Sequence, residues 1–507
     1  MTTRVELLPG AVGVPVLAAL GGALAGWALA PAGVVPLLWL ALALLWGLVA
    51  GPLPVQAAAW WGAAAVLVSH RWLLALHPLD WIGVPLVLSL PLCWLLLLLL
   101  SALGAGLLAI WGWVAARLGP TRPSTAVLLA LGWGLAEAGL ARGPLFWIGL
   151  GGSALPGDRA LAGFALLGGA ALVAALQLLI GWAFWWGFRE RRRLGLRLLP
   201  LLLLPLLALH GAGLALLTSG SHLRAGEQGG DGAAMERVLV VQPAIATREK
   251  LQWASRQRLQ RQLQLGLEDA RRQGADLVVL PEGALELDPV LPEPAAVELL
   301  SGGFRSAGSA AGGLEQRSAL LRFPAGSREP DGAIDKHRVV LLGEWVPWQG
   351  LVRWSGLSAV GGIEPGAPSR LLPRGPASIG VAICYEIADG HGLAAATRGG
   401  AGWLLASANL DPYPLVLQRQ FEALAQLRAI ETGRWLVSVA NTGPSGLISP
   451  QGGISRQLPA SRPAMELLRV AIRSGLTPYG RWGELPLIVL ALLVSGWRWR
   501  LGRNQAG

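Results

Sequence analysis

The chain has 507 residues, of which 53% are hydrophobic and only 14% charged, with a formal net charge of +11. That length allows about three average domains, and the apolar content excludes a simply soluble protein. The positive charge is not a nucleic-acid footprint, so no nucleic-acid partner is expected: the arginines cluster beside apolar runs, as the positive-inside rule describes for membrane loops.

Seven apolar stretches precede residue 220, at 12–30, 34–51, 56–76, 82–116, 125–141, 161–187 and 196–218, and an eighth follows at 483–497. Each approaches the ~20 residues needed to cross hydrocarbon. The first resembles a leader peptide, but six more spans follow closely, so it reads as a retained helix. Arg117 and Arg122 follow the fourth span. Arg189, Arg191, Arg192, Arg193 and Arg197 lie between the sixth and seventh, and Arg498, Arg500 and Arg503 follow the eighth. Odd–even counting puts all three clusters on one side with the N-terminus, the cytoplasmic side, and residues 220–480 on the outer face. Glu137 lies within the fifth span, with Arg142 just after it. An ionisable group at membrane depth is either functional or paired, here with Arg142 or a neighbouring helix.

Residues 219–235 read as a linker, and the pattern then changes. Strands are predicted at Arg237–Gln242, Asp276–Leu280, 317–323, 338–342, Ala377–Ile383, Trp403–Ser407 and Trp435–Ala440. Helices are predicted at 251–272 and from Pro414 to Glu431. Gly446–Ile448 with Pro450-Gln451-Gly452 reads as a hairpin. Strands alternating with helices define an α/β layer architecture. The divisions are a membrane region 1–220, a linker 221–235, an α/β domain 236–475, and a closing helix with its tail at 476–507.

Two cysteines far apart, Cys93 and Cys384, give no disulfide framework. The six histidines are scattered without ligand spacing, so neither a metal nor another cofactor is expected. Cys93 sits in an unbroken apolar run and reads as a small hydrophobe. Cys384 ends the strand Ile379–Ile383 and is followed by Tyr385 and Glu386. Taken alone it is equally well a buried thiol. Glu282 in Leu-Pro-Glu ends another strand, and Lys336 stands in Asp-Lys-His-Arg. A carboxylate, an ammonium and a thiol so placed make a base, an oxyanion stabiliser and a nucleophile. The plain alternative for Glu282 and Lys336 is a surface ion pair.

These motifs resemble the nitrilase (carbon–nitrogen hydrolase) superfamily, whose fold is an αββα sandwich with a Glu-Lys-Cys triad. Seven spans, an outer α/β domain and one closing span resemble its membrane-embedded branch, the apolipoprotein N-acyltransferases. Gly343-Glu344-Trp345-Val346-Pro347, Cys384-Tyr385-Glu386 and Glu431-Thr432-Gly433-Arg434-Trp435 carry that likeness. The resemblance implies a polytopic α-helical membrane domain of about eight spans joined to a nitrilase-like αββα domain. It implies a bacterial inner-membrane location, with the catalytic domain on the periplasmic face. It also implies a ping-pong acyl transfer through a Cys384 thioester. The donor is a phospholipid, the acceptor a diacylglyceryl-modified apolipoprotein, and membrane lipids surround both. Glu282, Lys336 and Cys384 are then catalytic. Glu344 orients Lys336 or shares base duty, Tyr385 lends its backbone N–H, and Glu386 holds the loop or assists the incoming amine. Trp345, Trp348, Trp354 and Tyr413 are expected as a lipid-facing flap. The sequence departs from the family pattern at Leu410, where an Asp is usual, and the slot of the Trp usual shortly after the first strand of this domain falls on Leu251 or Trp253, depending on the gap. Two other readings are a membrane-tethered amidase using water and a non-catalytic lipid-binding protein.

Overall fold

A computed structural model of the chain describes residues 13–80, 84–219, 234–250, 252–308, 314–340, 344, 362–375, 377–411 and 413–504. Trp345, Trp348, Trp354, Leu251 and all but the last two residues of the 221–235 linker lie outside the described residues.

The first half is helical. Helices α1 (Gly13–Ala28), α2 (Val35–Val49), α3 (Pro54–Ser69), α4 (Leu86–Leu118) and α5 (Pro123–Ala141) come first. Two single turns follow, α6 (Gly149–Gly152) and α7 (Arg159–Ala162), and then α8 (Ala165–Leu194) and α9 (Leu198–Ser219). Prolines open α3 and α5, where the missing N–H costs nothing and the fixed φ suits the first turn. Helix α1 packs on α3 through Gly22 and Gly26, four residues apart. A Cβ at either would strike the backbone carbonyl of Trp61 or Ala65. This is how small residues let helices approach where no hydrophobic effect drives them together. Leucines of α4 and α9, such as Leu98, Leu99, Leu204 and Leu207, face outward, a surface suited to hydrocarbon.

Among the described residues, three stretches are long and apolar enough to cross a membrane: Leu86–Leu118, Pro123–Ala141 and Ala165–Thr218. The expected count of eight is not reached on that criterion. Helices α1, α2 and α3 have 16, 15 and 16 residues, short of the ~20 that span hydrocarbon without local thinning. The sixth stretch is also not one straight helix. Gly168 and Gly169 leave helical geometry inside α8, and the ring of Tyr479 occupies the space where a Gly169 side chain would lie.

The second half is two six-stranded sheets. In chain order the strands are β1 (Met235–Gln242), β2 (Leu277–Leu280), β3 (Glu298–Gly308), β4 (Leu314–Phe323), β5 (Gly332–Asp335), β6 (Leu371–Leu372), β7 (Ile379–Ile383), β8 (Trp403–Ala408), β9 (Leu436–Ala440), β10 (Gly446–Ile448), β11 (Ile454–Gln457) and β12 (Ala464–Ala471). The first sheet runs β12-β1-β2-β3-β4-β5 and the second β11-β10-β9-β8-β7-β6. Both have a parallel centre, β1-β2-β3 and β7-β8-β9.

Alternation along the strands explains the layers. Val238, Val240, Leu277 and Val279 share a core with Val381, Ile383, Leu405 and Val437 of the other sheet. Leu239, Val241, Val278 and Leu280 point the other way, onto Leu263, Leu267 and Ala270 of helix α10 (Trp253–Gln273). Helices α11 (Gly390–Arg398) and α12 (Leu415–Thr432) cover the second sheet. The result is the nitrilase-like layering. The chain ends with a turn, α13 (Pro478–Trp482), and α14 (Leu485–Asn504).

One sequence reading is corrected, and of the two partners considered for Glu137 the neighbouring helix is the one found. Of the predicted strand 338–342, residues 338–340 are irregular. The Val340 N–H goes to Glu344 at 2.9 Å instead of to a ladder, and β5 ends just before Lys336. Arg142 pairs with Glu484 at 2.6 Å, not with Glu137. The Glu137 carboxylate instead accepts from the Leu150 N–H at 2.8 Å and from Trp133 Nε1 at 2.8 Å, tying α5 to α6.

Candidate active site

Three loops at strand ends converge. Glu282 follows β2, Lys336 follows β5 and Cys384 follows β7. Lys336 is 1% exposed and its Nζ donates to Glu282 Oε1 and to Glu344 Oε1, both at 2.7 Å. The second oxygen of Glu282 accepts from the Asn409 N–H at 3.0 Å, so the carboxylate is held on both sides. The Cys384 thiol lies within the fields of Glu282, Lys336 and Glu344.

Electrostatics set the resting charges. Desolvation lowers the Lys336 pKa, but the charges of Glu282 and Glu344 outweigh it and hold the ammonium well above the ordinary lysine range. Burial, reinforced by Glu282, pushes the Cys384 thiol well up, with Lys336 only partly opposing. Cys384 at rest is therefore a neutral thiol beside a carboxylate and a fixed cation.

The backbone at Cys384 is strained. Its φ is +53°, a left-handed conformation costing a non-glycine residue on the order of 1–3 kcal/mol. The turn Cys384–Ala388 follows at once, and Glu386 braces it. The Glu386 carboxylate is 3% exposed. It accepts from the N–H groups of Ile383 at 2.8 Å and His337 at 2.6 Å, and pairs with Arg370 at 2.6 Å. Of the two roles considered for Glu386, these contacts are those of a loop brace.

An aromatic wall joins the site to the helices. Tyr385 lies 4.9 Å from Phe146, which stacks on Phe421 at 5.0 Å. The Tyr385 and Tyr413 hydroxyls are 3.2 Å apart, and Tyr413 meets Trp72 edge-on at 5.6 Å. Tyr413 therefore takes part in a wall beside the nucleophile. Arg338 donates to the carbonyls of Ala141, Gly143 and Leu145, which fastens the Lys336 loop to the C-terminal end of α5. Sequence reasoning did not single out Phe146, Trp72, Arg338 or Arg370 for the site; isolated aromatics and arginines carry no spacing signal.

Leu410, the departure from the family pattern, is buried with φ +55°. An Asp or Asn adopts that conformation more readily. Leu410 lines a small pocket that Cys384 also borders.

The two-sheet fold with an acid, an amine and a thiol at its strand ends defines an enzyme of the carbon–nitrogen hydrolase class, and residues 349–477 match the Carbon-nitrogen hydrolase family model. Over nearly its whole length the chain is similar to proteins named apolipoprotein N-acyltransferase. One from Prochlorococcus marinus (strain MIT 9313) is 48% identical over 487 residues, spanning 94% of this chain and 93% of its own. Another from Parasynechococcus marenigrum (strain WH8102) is 46% identical over 473 residues, spanning 92% and 96%. The chain belongs to the apolipoprotein N-acyltransferase family. Among solved structures, Saccharomyces cerevisiae Nit3, a nitrilase-superfamily member, overlaps 47% of this chain and 91% of its own at 16% identity and a TM-score of 0.36.

Proposed function

We propose that this chain transfers a fatty acyl group from a phospholipid, through a thioester on Cys384, to the α-amine of a diacylglyceryl-modified apolipoprotein. The observation that carries the reading is Lys336, buried between two carboxylates beside a neutral thiol on a strained turn. In the first half-reaction the Cys384 sulfur attacks the ester carbonyl while its proton passes to Glu282. Lys336 and the Tyr385 N–H stabilise the oxyanion. The C–O bond breaks, and Glu282 returns the proton to the departing lysophospholipid oxygen. In the second half the amine nitrogen attacks the thioester carbonyl and loses a proton to Glu282. The C–S bond breaks, and the sulfur takes that proton back. A thioester separates the two events and remains reactive toward an amine.

Eight membrane crossings, with 236–475 as a catalytic domain on the periplasmic face of the inner membrane, fit this chemistry. Both lipid substrates then reach the site by lateral diffusion, a confined search. The arginine clusters support that orientation, and Trp345, Trp348 and Trp354 are assigned to a flap at headgroup level. The divisions 1–220, 221–235 and 476–507 are the membrane region, the linker and the closing helix with its tail.

The test is intact-protein mass after incubation with phospholipid. An acyl adduct is expected on the parent and none on Cys384→Ala. N-acylated lipopeptide formed by Cys384→Ala would overturn the covalent route.

A further inference from the structure

Lys250 stands one residue past the short turn Thr247–Glu249, in a polar stretch with no recognisable motif. Its Nζ donates to the carbonyl of Gly283 at 3.1 Å and to Asn409 Oδ1 at 3.2 Å. Gly283 is the residue after Glu282, and Asn409 is the residue whose backbone N–H holds Glu282 Oε2 at 3.0 Å. Lys250 therefore grips both neighbours of the base. The Asn409 amide is itself fixed. Its Oδ1 also accepts from Asn441 Nδ2 at 2.8 Å, and its Nδ2 donates to Thr247 Oγ1 at 2.9 Å.

The charges around this unit are few. At the centre, among the described residues, Lys336 faces two carboxylates, Glu282 and Glu344. Facing Lys250 are Glu282, from the loop after β2, and Asp411, from the loop after β8. Asp411 already accepts the Thr247 N–H at 2.6 Å. On its own segment, Arg248 is turned to the Pro78 carbonyl and Glu249 is paired with Arg258 of α10 at 3.0 Å. Among the described residues, Lys250 thus brings a further positive charge beside Glu282. The side chain is only half-buried by surface area, yet its ammonium lies deep among protein atoms. Desolvation lowers its pKa to about 8 against the raising influence of Glu282 and Asp411.

We propose that Lys250 is a positioning residue for acyl transfer: its ammonium fixes Asn409 and the Gly283 carbonyl around Glu282, and so aims the Glu282 carboxylate at Cys384. The inference rests on the assignment of Glu282 as base. A hydrogen bond from a charged donor is stronger than one between neutral groups. Without the ammonium, Gly283 and Asn409 are held less firmly and the carboxylate loses its aim at the thiol.

The test measures acyl-adduct formation in full-length protein, with phosphatidylglycerol in mixed detergent micelles, as a maximal rate and a half-saturating phospholipid concentration, with the unfolding temperature read alongside. Lys250→Met loses the donor; Lys250→Arg keeps a charged donor. Expected for Lys250→Met is a maximal rate lower by about ten- to a hundredfold, the scale of loss when a reacting group is misplaced, with half-saturation and unfolding temperature unchanged. Lys250→Arg should recover most of the rate. A Lys250→Met rate equal to the parent's, a loss that comes with a lower unfolding temperature, or an arginine variant no faster than the methionine one overturns the inference. Glu282→Gln is run alongside. If it still forms the adduct, the base assignment itself is wrong. If it is inactive while Lys250→Met keeps the parent rate, only the role of Lys250 falls.

Discussion

Glu386 Oε1 accepts the backbone N–H of His337 at 2.6 Å. One carboxylate, two residues past Cys384, therefore holds the residue that follows Lys336. Its other oxygen takes the Ile383 N–H and the Arg370 guanidinium, so the strained turn at Cys384 and the Lys336 loop are positioned as one unit. Glu386→Ala leaves Arg370, 5% exposed, without its carboxylate. Breaking such a buried pair costs about 3–5 kcal/mol. The expected outcome is a loss of acyl adduct as complete as in Glu282→Gln, together with a lower unfolding temperature. Accumulated acyl-enzyme with blocked transfer would place Glu386 in the second half-reaction instead.

The wall formed by Phe146 makes a second prediction. Phe146 is 5% exposed and touches both Tyr385 and Phe421, although it belongs to the loop between α5 and α6. Phe146→Ala should destabilise the protein by about 3–5 kcal/mol and slow adduct formation, because the ring beside the nucleophile loses its support. Phe146→Leu should retain most of both. Denaturation and adduct kinetics on the two variants check this. Unchanged kinetics in Phe146→Ala would detach the membrane-side loop from the site.

The strands carrying the chemistry were legible because each is a short apolar run that stops at a reactive side chain. β1, β2, β7, β8 and β9 lie where apolar runs predict them, and the hairpin of β10 and β11 turns at Pro450-Gln451-Gly452. Strand β3, by contrast, contains Ser301-Gly302-Gly303-Phe304 and lacks β-branched residues. Its extended state comes from pairing with β2 and β4, a tertiary cause invisible locally. Gly302 is there because the backbone of Glu282 fills the space a side chain would need. The Glu-Lys-Cys set was legible by residue type and resemblance. The brace of Glu386 by Arg370, and the grip of Lys250 on Asn409, were not, since each joins residues far apart in the chain with no periodic signal.

Topology supplies a third prediction. The proposed eight crossings, with the arginine clusters on the cytoplasmic side, require labels at Gly229 and at Gln505 to report opposite sides of the membrane. Thiol-specific labelling of single-cysteine variants, with an impermeant reagent, measures this. The same side for both would remove the last crossing.

Glu431 gives the prediction with the most definite pH signature. It is fully buried in α12, where Oε1 accepts from Arg428 Nη2 at 2.8 Å and from the Ala170 N–H of α8 at 2.8 Å. Oε2 has no partner among the described residues. Burial raises its pKa from 4.5 to about 7, with Arg428 and the Ala170 N–H opposing. The folded protein thus binds a proton here more tightly than the unfolded chain does. Between pH 4.5 and about 7 the folded state holds more protons, so stability falls as pH rises through that window and levels off above it. A shift of that size corresponds to a loss on the order of 3 kcal/mol. Glu431→Gln keeps the Oε1 acceptor for Ala170 and Arg428 and removes the titration. Thermal unfolding in detergent at a series of pH values should show the parent losing stability across the window, while Glu431→Gln stays flatter and ends more stable above neutral pH. Parallel curves for the two proteins would mean that Glu431 remains ionised in the fold, held by Arg428, and that the contact between α12 and α8 is a charged one throughout.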